Sequence, residues 1–291
     1  MSRLGDLFRF SRPAGPGFGL SKGYYLTVMV PQAQLPTPRQ LVNPKGEGGA
    51  VPGFIVPEVG DKSALDVSLS RGHFAVASSD RKSVLRMTVF SRDEARFDPD
   101  VFLRSEFAQR LDPELRSRLA ATWSLIQLTL HSHDAAVVPT LMFTLQCAHR
   151  AALLTQGVIA DPLRESYELP EEMVLDGFAI DQHVGVVVAS GDGMLVLETR
   201  GISKFALPEI RLSAVPPDLV PLAQAFLLSL AATHFQRGRL NVEDHVGAAR
   251  ARFLVATAPT TPGQTPKVLE LVPLDHTTVA DCLAAWREEH E

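Results

Sequence analysis

The chain has 291 residues, of which 45% are apolar and 21% are charged, and its formal net charge is −5. These fractions are typical of a folded globular protein and exclude a disordered or fibrous chain. The slight acidic balance does not favour a phosphate-binding face, because such a face needs clustered lysine and arginine.

The first part of the chain predicts a tail followed by an antiparallel sheet. Residues 1–21 are rich in Gly, Pro, Ser and Arg, which favours a flexible tail. This tail lacks the apolar run of a secretory signal. Strands are expected where β-branched and aromatic residues lie between turn residues, at 23–30, 66–70, 73–79 and 84–92.

Helix starts follow this sheet. Asp98 and Asp112 each precede a proline and an acidic residue, so we expect each aspartate to cap a helix through its side chain. Alternating apolar residues then predict a strand at 121–132, and a helical pattern follows over 134–155. A short buried strand is expected at 157–160.

The remaining sequence predicts two hairpins and two helices. The hairpins pair 183–189 with 194–199 and 251–256 with 267–272, and the helices cover 219–235 and 278–289. Adjacent strands with interspersed helices predict an α+β fold with mostly antiparallel sheets and helices packed on one face. We divide the chain into the tail, a half at 22–120 and a half at 121–291. The two α+β halves have a similar order of strands and helices, which suggests a duplication.

Two histidines and a carboxylate form the candidate metal site. His131 and His133 are separated by one residue on an extended segment, so their side chains point to the same face. With a distant carboxylate such as Asp161, they would form the ligand set of a metal-dependent hydrolase. The alternative interpretation is a strand exit, followed by Asp134 as a helix cap.

An acidic segment is the candidate partner surface. Residues 161–181 contain seven acids and one arginine, which is a local charge of −6. The acids expected to contact a partner are Glu165, Glu168, Glu171, Glu172 and Asp176. The competing interpretation is a solvated loop, in which Pro170 and the two acids after it begin a helix.

Two segments resemble one uncharacterised bacterial family. The first is a T-x-G-V-x-x-D pattern from Thr155 to Asp161, followed by Tyr167 and Pro-Glu-Glu at 170–172. The second is a T-x-G-x-x-x-F-x-x-P-E pattern from Thr199 to Glu209. The resemblance covers about residues 120–240. It implies a bacterial protein, in some cases near stress or toxin–immunity systems, and it transfers no catalytic residue.

Together these features predict a non-enzymatic interaction or regulatory protein of the bacterial cytosol. We expect a protein partner, no cofactor and no membrane association, and nucleic-acid binding is not favoured. The alternative is the metal-dependent hydrolase described above. Cys147 and Cys282 lie in apolar helical patterns and are expected to be buried free thiols.

Overall fold

The computed structural model describes residues 24–31, 34–42, 63–77, 83–132, 137–191, 194–237, 240–258 and 268–290. They form two compact units, which divide between residues 178 and 179. The predicted tail lies outside the described residues. The predicted boundary at 120/121 falls inside the first unit, because the strand that follows it pairs with two strands that precede it.

The first unit contains one six-stranded sheet. Its strands are β1 Leu26–Val30, β2 Gly72–Ala77, β3 Ser83–Ser91, β4 Ser124–Ser132, β5 Val158–Asp161 and β6 Ser166–Glu168. They lie in the order β2-β3-β4-β1-β5-β6, and all neighbours are antiparallel. The helices are α1 Pro38–Val42, α2 Ser63–Asp66, α3 Pro99–Leu103, α4 Glu106–Gln109, α5 Pro113–Ala120 and α6 Val137–Thr155.

The two faces of this sheet pack against different helices. Val28 pairs with Ile126 and Ile159, and these three residues are buried on the face where α6 packs against β1, β4 and β5. Met29 points the other way, because side chains alternate along a strand. It clusters with Leu115 of α5.

The helix caps predicted in this unit are confirmed. The carboxylate of Asp98 accepts hydrogen bonds from the N–H groups of Asp100 and Val101, and Asp112 accepts one from Glu114 at 2.8 Å. The strand predicted at 66–70 is wrong. Asp66 instead ends the helical turn α2, and its carboxylate forms an ion pair with Arg39 of α1.

The second unit contains another six-stranded sheet and two long helices. Its strands are β7 Gly185–Gly191, β8 Met194–Arg200, β9 Glu209–Val215, β10 His245–Ala248, β11 Ala251–Thr257 and β12 Val268–Pro273. The helices are α7 Val220–Arg237 and α8 Val279–His290. The strand order is β10-β11-β12-β9-β8-β7, in which β9 and β12 are parallel and the other neighbours antiparallel. The predicted α+β class is therefore confirmed, whereas the duplication stays a prediction.

The apolar helix predicted at 219–235 corresponds to α7. Its buried residues recur at helical spacing and face the sheet, where α7 contacts β7, β8 and β9. They are Ala223, Phe226, Leu227, Leu230, Ala231 and His234. Among the described helices, the stretch Pro217–Gln236 is the one that is long and apolar enough to cross a membrane, and 33% of its most apolar window is buried in the fold.

A close backbone approach fixes the start of β5. A Cβ atom at Gly157 would lie 2.7 Å from the carbonyl oxygen of Met29 and 3.0 Å from Cγ1 of Val28. The first contact is with backbone, so only a shift of β1 or β5 would relieve it. The glycine of the first sequence motif is therefore required by packing.

We expect Gly157→Ala to lower the free energy of unfolding of the first unit by about 1–3 kcal/mol, because the added methyl group overpacks the β1–β5 contact. Urea unfolding followed by Trp123 fluorescence, with Trp286 replaced by Phe, measures this change. Gly177→Ala gives the effect of backbone strain without overpacking, since no atom lies within 4 Å of its added Cβ and its φ of +87° alone costs about 1 kcal/mol. An unchanged midpoint for Gly157→Ala would contradict the close approach.

Candidate functional site

His131 of the predicted metal site lies near the end of β4. Its side chain is half-buried, and Val84 is its partner on β3. Burial, and to a smaller extent the nearby charge of Arg86, lowers the pKa of His131. A nearby guanidinium opposes binding of a cation at this position. His133 lies outside the described residues.

Asp161 ends β5, and its carboxylate caps the turn that follows. One oxygen accepts hydrogen bonds from the N–H groups of Leu163 and Arg164, at 3.0 and 3.2 Å, and the other accepts one from the Tyr24 hydroxyl at 3.2 Å. Burial and the neighbouring Asp161 carboxylate raise the pKa of Tyr24. Among the described side chains, no group of three or more His, Cys, Asp or Glu could hold a metal ion. The hydrolase alternative stays a prediction.

Two of the five acids predicted to contact a partner form ion pairs and the other three are exposed, so the partner surface stays a prediction. Glu165, Glu172 and Asp176 are exposed. Glu168 forms an ion pair with Arg164 along the same hairpin. The guanidinium of Arg118 reaches both carboxylate oxygens of Glu171 at 3.2–3.3 Å. The helix expected after Pro170 is a single 3-10 turn, Pro170–Glu172.

A cavity of about 550 Å³ opens in the first unit beside this acidic segment. Its floor comes from the Met29 face of the sheet, and its walls come from the segment between β3 and the end of α4 and from the β5–β6 hairpin. The principal floor residues are Thr27, Met29, Leu125 and Ala160. The aromatic wall residues are Phe97, Phe102, Phe107 and Tyr167.

The wall aromatics pack against one another at an angle. The ring centroid of Phe102 lies 5.7 Å from that of Phe97, 6.3 Å from that of Phe107 and 5.2 Å from that of Tyr167. Phe107 and Tyr167 are 5.9 Å apart, and the four ring pairs meet at 49–62°. Such tilted geometry is favourable for aromatic rings. In this arrangement Phe107 remains 44% exposed. Tyr167 is more buried, and burial raises the pKa of its hydroxyl.

Charged residues lie at the rim of the cavity. Arg96 and Glu165 line it and are exposed, and Asp161 lines it from the start of the hairpin. Arg96 and Glu165 both adopt left-handed backbone conformations, with φ of 52° and 56°. Non-glycine residues seldom take this conformation, and it is found more often where a side chain has a function.

Local sequence explains how the aromatic wall is placed. Arg96 ends the turn after β3, and the Asp98 cap then starts α3, which carries Phe102. Ser105 caps α4 through its side chain, which accepts a hydrogen bond from Ala108, and so positions Phe107. Phe102 and Phe107 are therefore placed by helix caps that the sequence specifies.

In the second unit, the residues of the second sequence motif meet in a buried hydrogen-bond network. One oxygen of the Glu209 carboxylate accepts from the N–H groups of Gly201 and Ser203, both at 3.0 Å. The other accepts from the Thr199 hydroxyl at 2.7 Å, and that hydroxyl oxygen accepts from the Ile210 N–H at 2.8 Å. The network fixes the turn between β8 and β9.

A charge ladder crosses three strands of the same unit. Glu198 of β8 binds both Arg200 and Arg211, and its distance to Nε of Arg211 is 2.7 Å. Arg211 lies 3.9 Å from Glu270 of β12, which accepts from the Ser213 hydroxyl at 2.6 Å. Acids and bases alternate along the ladder, so its charges offset one another and stabilise the sheet.

No protein-family model, no curated protein and no solved structure matches this chain. The resemblance to an uncharacterised bacterial family therefore stays a prediction. The thiols Cys147 and Cys282 are buried and free, as expected. Burial raises the pKa of Cys147 to about 12, which keeps this thiol protonated at neutral pH.

We expect His131 to titrate below its usual pKa of about 6.5, because burial and Arg86 disfavour the imidazolium. The unfolded chain then takes up the proton first, so acidification through about pH 6.5 lowers the free energy of unfolding. Proton NMR of the imidazole ring measures the midpoint, and Arg86→Met should raise it. A midpoint above 6.5 would contradict this environment.

We expect Glu209→Ala to lower the free energy of unfolding of the second unit by about 3 kcal/mol, because three donors lose their acceptor. Urea unfolding followed by Trp286 fluorescence, with Trp123 replaced by Phe, measures the loss. The exposed Asp218 lies in the same unit, and Asp218→Asn should change stability by less than about 0.5 kcal/mol. Equal effects of the two substitutions would exclude a structural role for the network.

Proposed function

We propose that the protein is a non-enzymatic interaction protein of the bacterial cytosol, and that the aromatic cavity of the first unit binds part of its partner. The exposed aromatic wall beside an acidic segment carries this proposal. The acids Glu165, Glu168, Glu171, Glu172 and Asp176 form the polar side of the same partner surface. The two motif resemblances support the bacterial source and a regulatory role near stress or toxin–immunity systems.

Exposure of the aromatic wall is the main support. Exposure of a large aromatic side chain to water costs more free energy than exposure of a smaller apolar one, so folding normally buries aromatic side chains. Phe107 lines the cavity and remains 44% exposed. Apolar surface of this kind, bordered by polar residues, is typical of binding sites.

The chemistry of the cavity supports binding. Five aromatic rings, that of Tyr25 included, line it above a floor that contains Met29 and Leu125. Asp161 serves as a turn cap, and His131 lies on β4 beside Arg86. Two of the three residues that the sequence nominated as metal ligands, His131 and Asp161, thus have structural contacts of their own, and His133 lies outside the described residues.

The test compares two serine variants of exposed apolar residues. Phe107 lines the cavity, whereas Val101 lies on the neighbouring helix and does not line it. We expect Phe107→Ser to reduce recovery of a stoichiometric partner about 30-fold, since a central aromatic contact is worth about 2 kcal/mol. Quantitative mass spectrometry after affinity purification of the full chain from native cells measures recovery.

Val101→Ser should leave partner recovery within about threefold of the wild type. Matching unfolding midpoints for both variants exclude a general loss of the fold. Purification of the wild-type chain alone at its native concentration, or equal recovery with both variants, would contradict the proposed function.

A further inference from the structure

We infer that the segment bound by the cavity is a stretch of partner polypeptide with one apolar side chain followed directly by lysine or arginine. This rests on the proposed function and specifies the chemistry of the partner. The apolar side chain enters the cavity, and the basic side chains lie along the acidic rim. Two independent properties of the site lead to this inference: the composition of its interior and the sign of its rim.

The interior selects an apolar group. Met29 and Leu125 form the floor and are 3% and 8% exposed. Little water contacts these side chains, and the surface that they present to a ligand is apolar and held in place by the sheet. Phe97, Phe102 and Tyr167 are half-buried walls whose open edges have room for one further side chain. A cavity of about 550 Å³ holds a phenyl or branched aliphatic group with space for its backbone.

The rim selects positive charge. Two carboxylates, Asp161 and Glu165, line the cavity against one guanidinium, that of Arg96. Of the neighbouring charges, Arg164 is engaged by Glu168 and so adds no net charge. The rim is therefore net negative and attracts a cationic group.

The acidic segment continues along the chain beyond the residues that line the cavity. Beyond Glu165 the chain continues through the exposed Glu172 and Asp176, whereas Glu171 shares the guanidinium of Arg118 with Glu114. Exposed acids along twelve residues complement a run of basic side chains on an extended polypeptide. This extent favours a polypeptide segment over a free organic cation.

Synthetic peptides test the inference on the full-length wild-type chain. The probes are acetylated and amidated eight-residue peptides with a Gly-Ser background and a central Phe-Lys-Lys, Phe-Glu-Glu or Ala-Lys-Lys. A fourth probe is phenethylammonium. Binding is followed by NMR of ¹³C-methyl methionine, in which Met29 reports entry into the cavity. We expect the Phe-Lys-Lys peptide to shift the Met29 methyl signal and to bind about tenfold more tightly than the other three probes.

A charge-matched pair of variants tests the rim. Glu165→Gln should weaken binding of the Phe-Lys-Lys peptide about threefold, which is the effect of losing one exposed ion pair. The same substitution should not weaken binding of the Phe-Glu-Glu peptide. Asp218→Asn makes the same change of charge in the second unit and should leave both affinities unchanged. Added salt should reduce the difference between the two peptides.

Several outcomes would overturn the inference. These are absence of binding by every probe, equal or tighter binding of the Phe-Glu-Glu peptide, equal binding of the Ala-Lys-Lys peptide, and tightest binding of phenethylammonium. If any of them occurs while Phe107→Ser still abolishes partner recovery, the proposed function stands and only the chemistry of the segment is wrong. If Phe107→Ser leaves partner recovery unchanged, the proposed function itself fails.

Discussion

The position of β1 between β4 and β5 is the constraint on which the first unit depends. Side chains of β1 alternate between two environments, so Val28 enters the core under α6 while Thr27 and Met29 form the floor of the cavity. A shift of one residue would exchange these two sets. The close approach of Gly157 to the Met29 carbonyl oxygen sets this register, because a side chain at 157 would not fit.

Much of the fold could be predicted from local patterns. Both aspartate caps, the long helices α6, α7 and α8, and most strands follow from spacing and turn chemistry that act within a few residues. The prediction missed β6, β9 and β10. Two of these strands have only three or four residues, and the third, Glu209–Val215, carries Glu209 and Arg211, whose burial depends on partners on other strands.

The cavity could not be predicted because its lining residues are distant in the sequence. The floor combines β1, β4 and β5, and the walls combine the segment between β3 and the end of α4 with a hairpin about 60 residues later. Each aromatic alone is typical of an ordinary core position. The signal that was available was the group Phe97, Phe102 and Phe107, at intervals of five residues that match neither a helix nor a strand. The predicted histidine site depended on local spacing only, and its Asp161 caps a turn.

The left-handed residues at the rim have an evolutionary consequence. At Arg96 and Glu165 a glycine would relieve backbone strain of about 1 kcal/mol, yet it would also remove a charged side chain from the mouth of the cavity. Selection for thermal robustness alone would therefore favour glycine at both places and erase the charges together. Persistence of the two ionic side chains in descendants of this chain would mark the mouth as a surface under selection for recognition, at the expense of maximal stability.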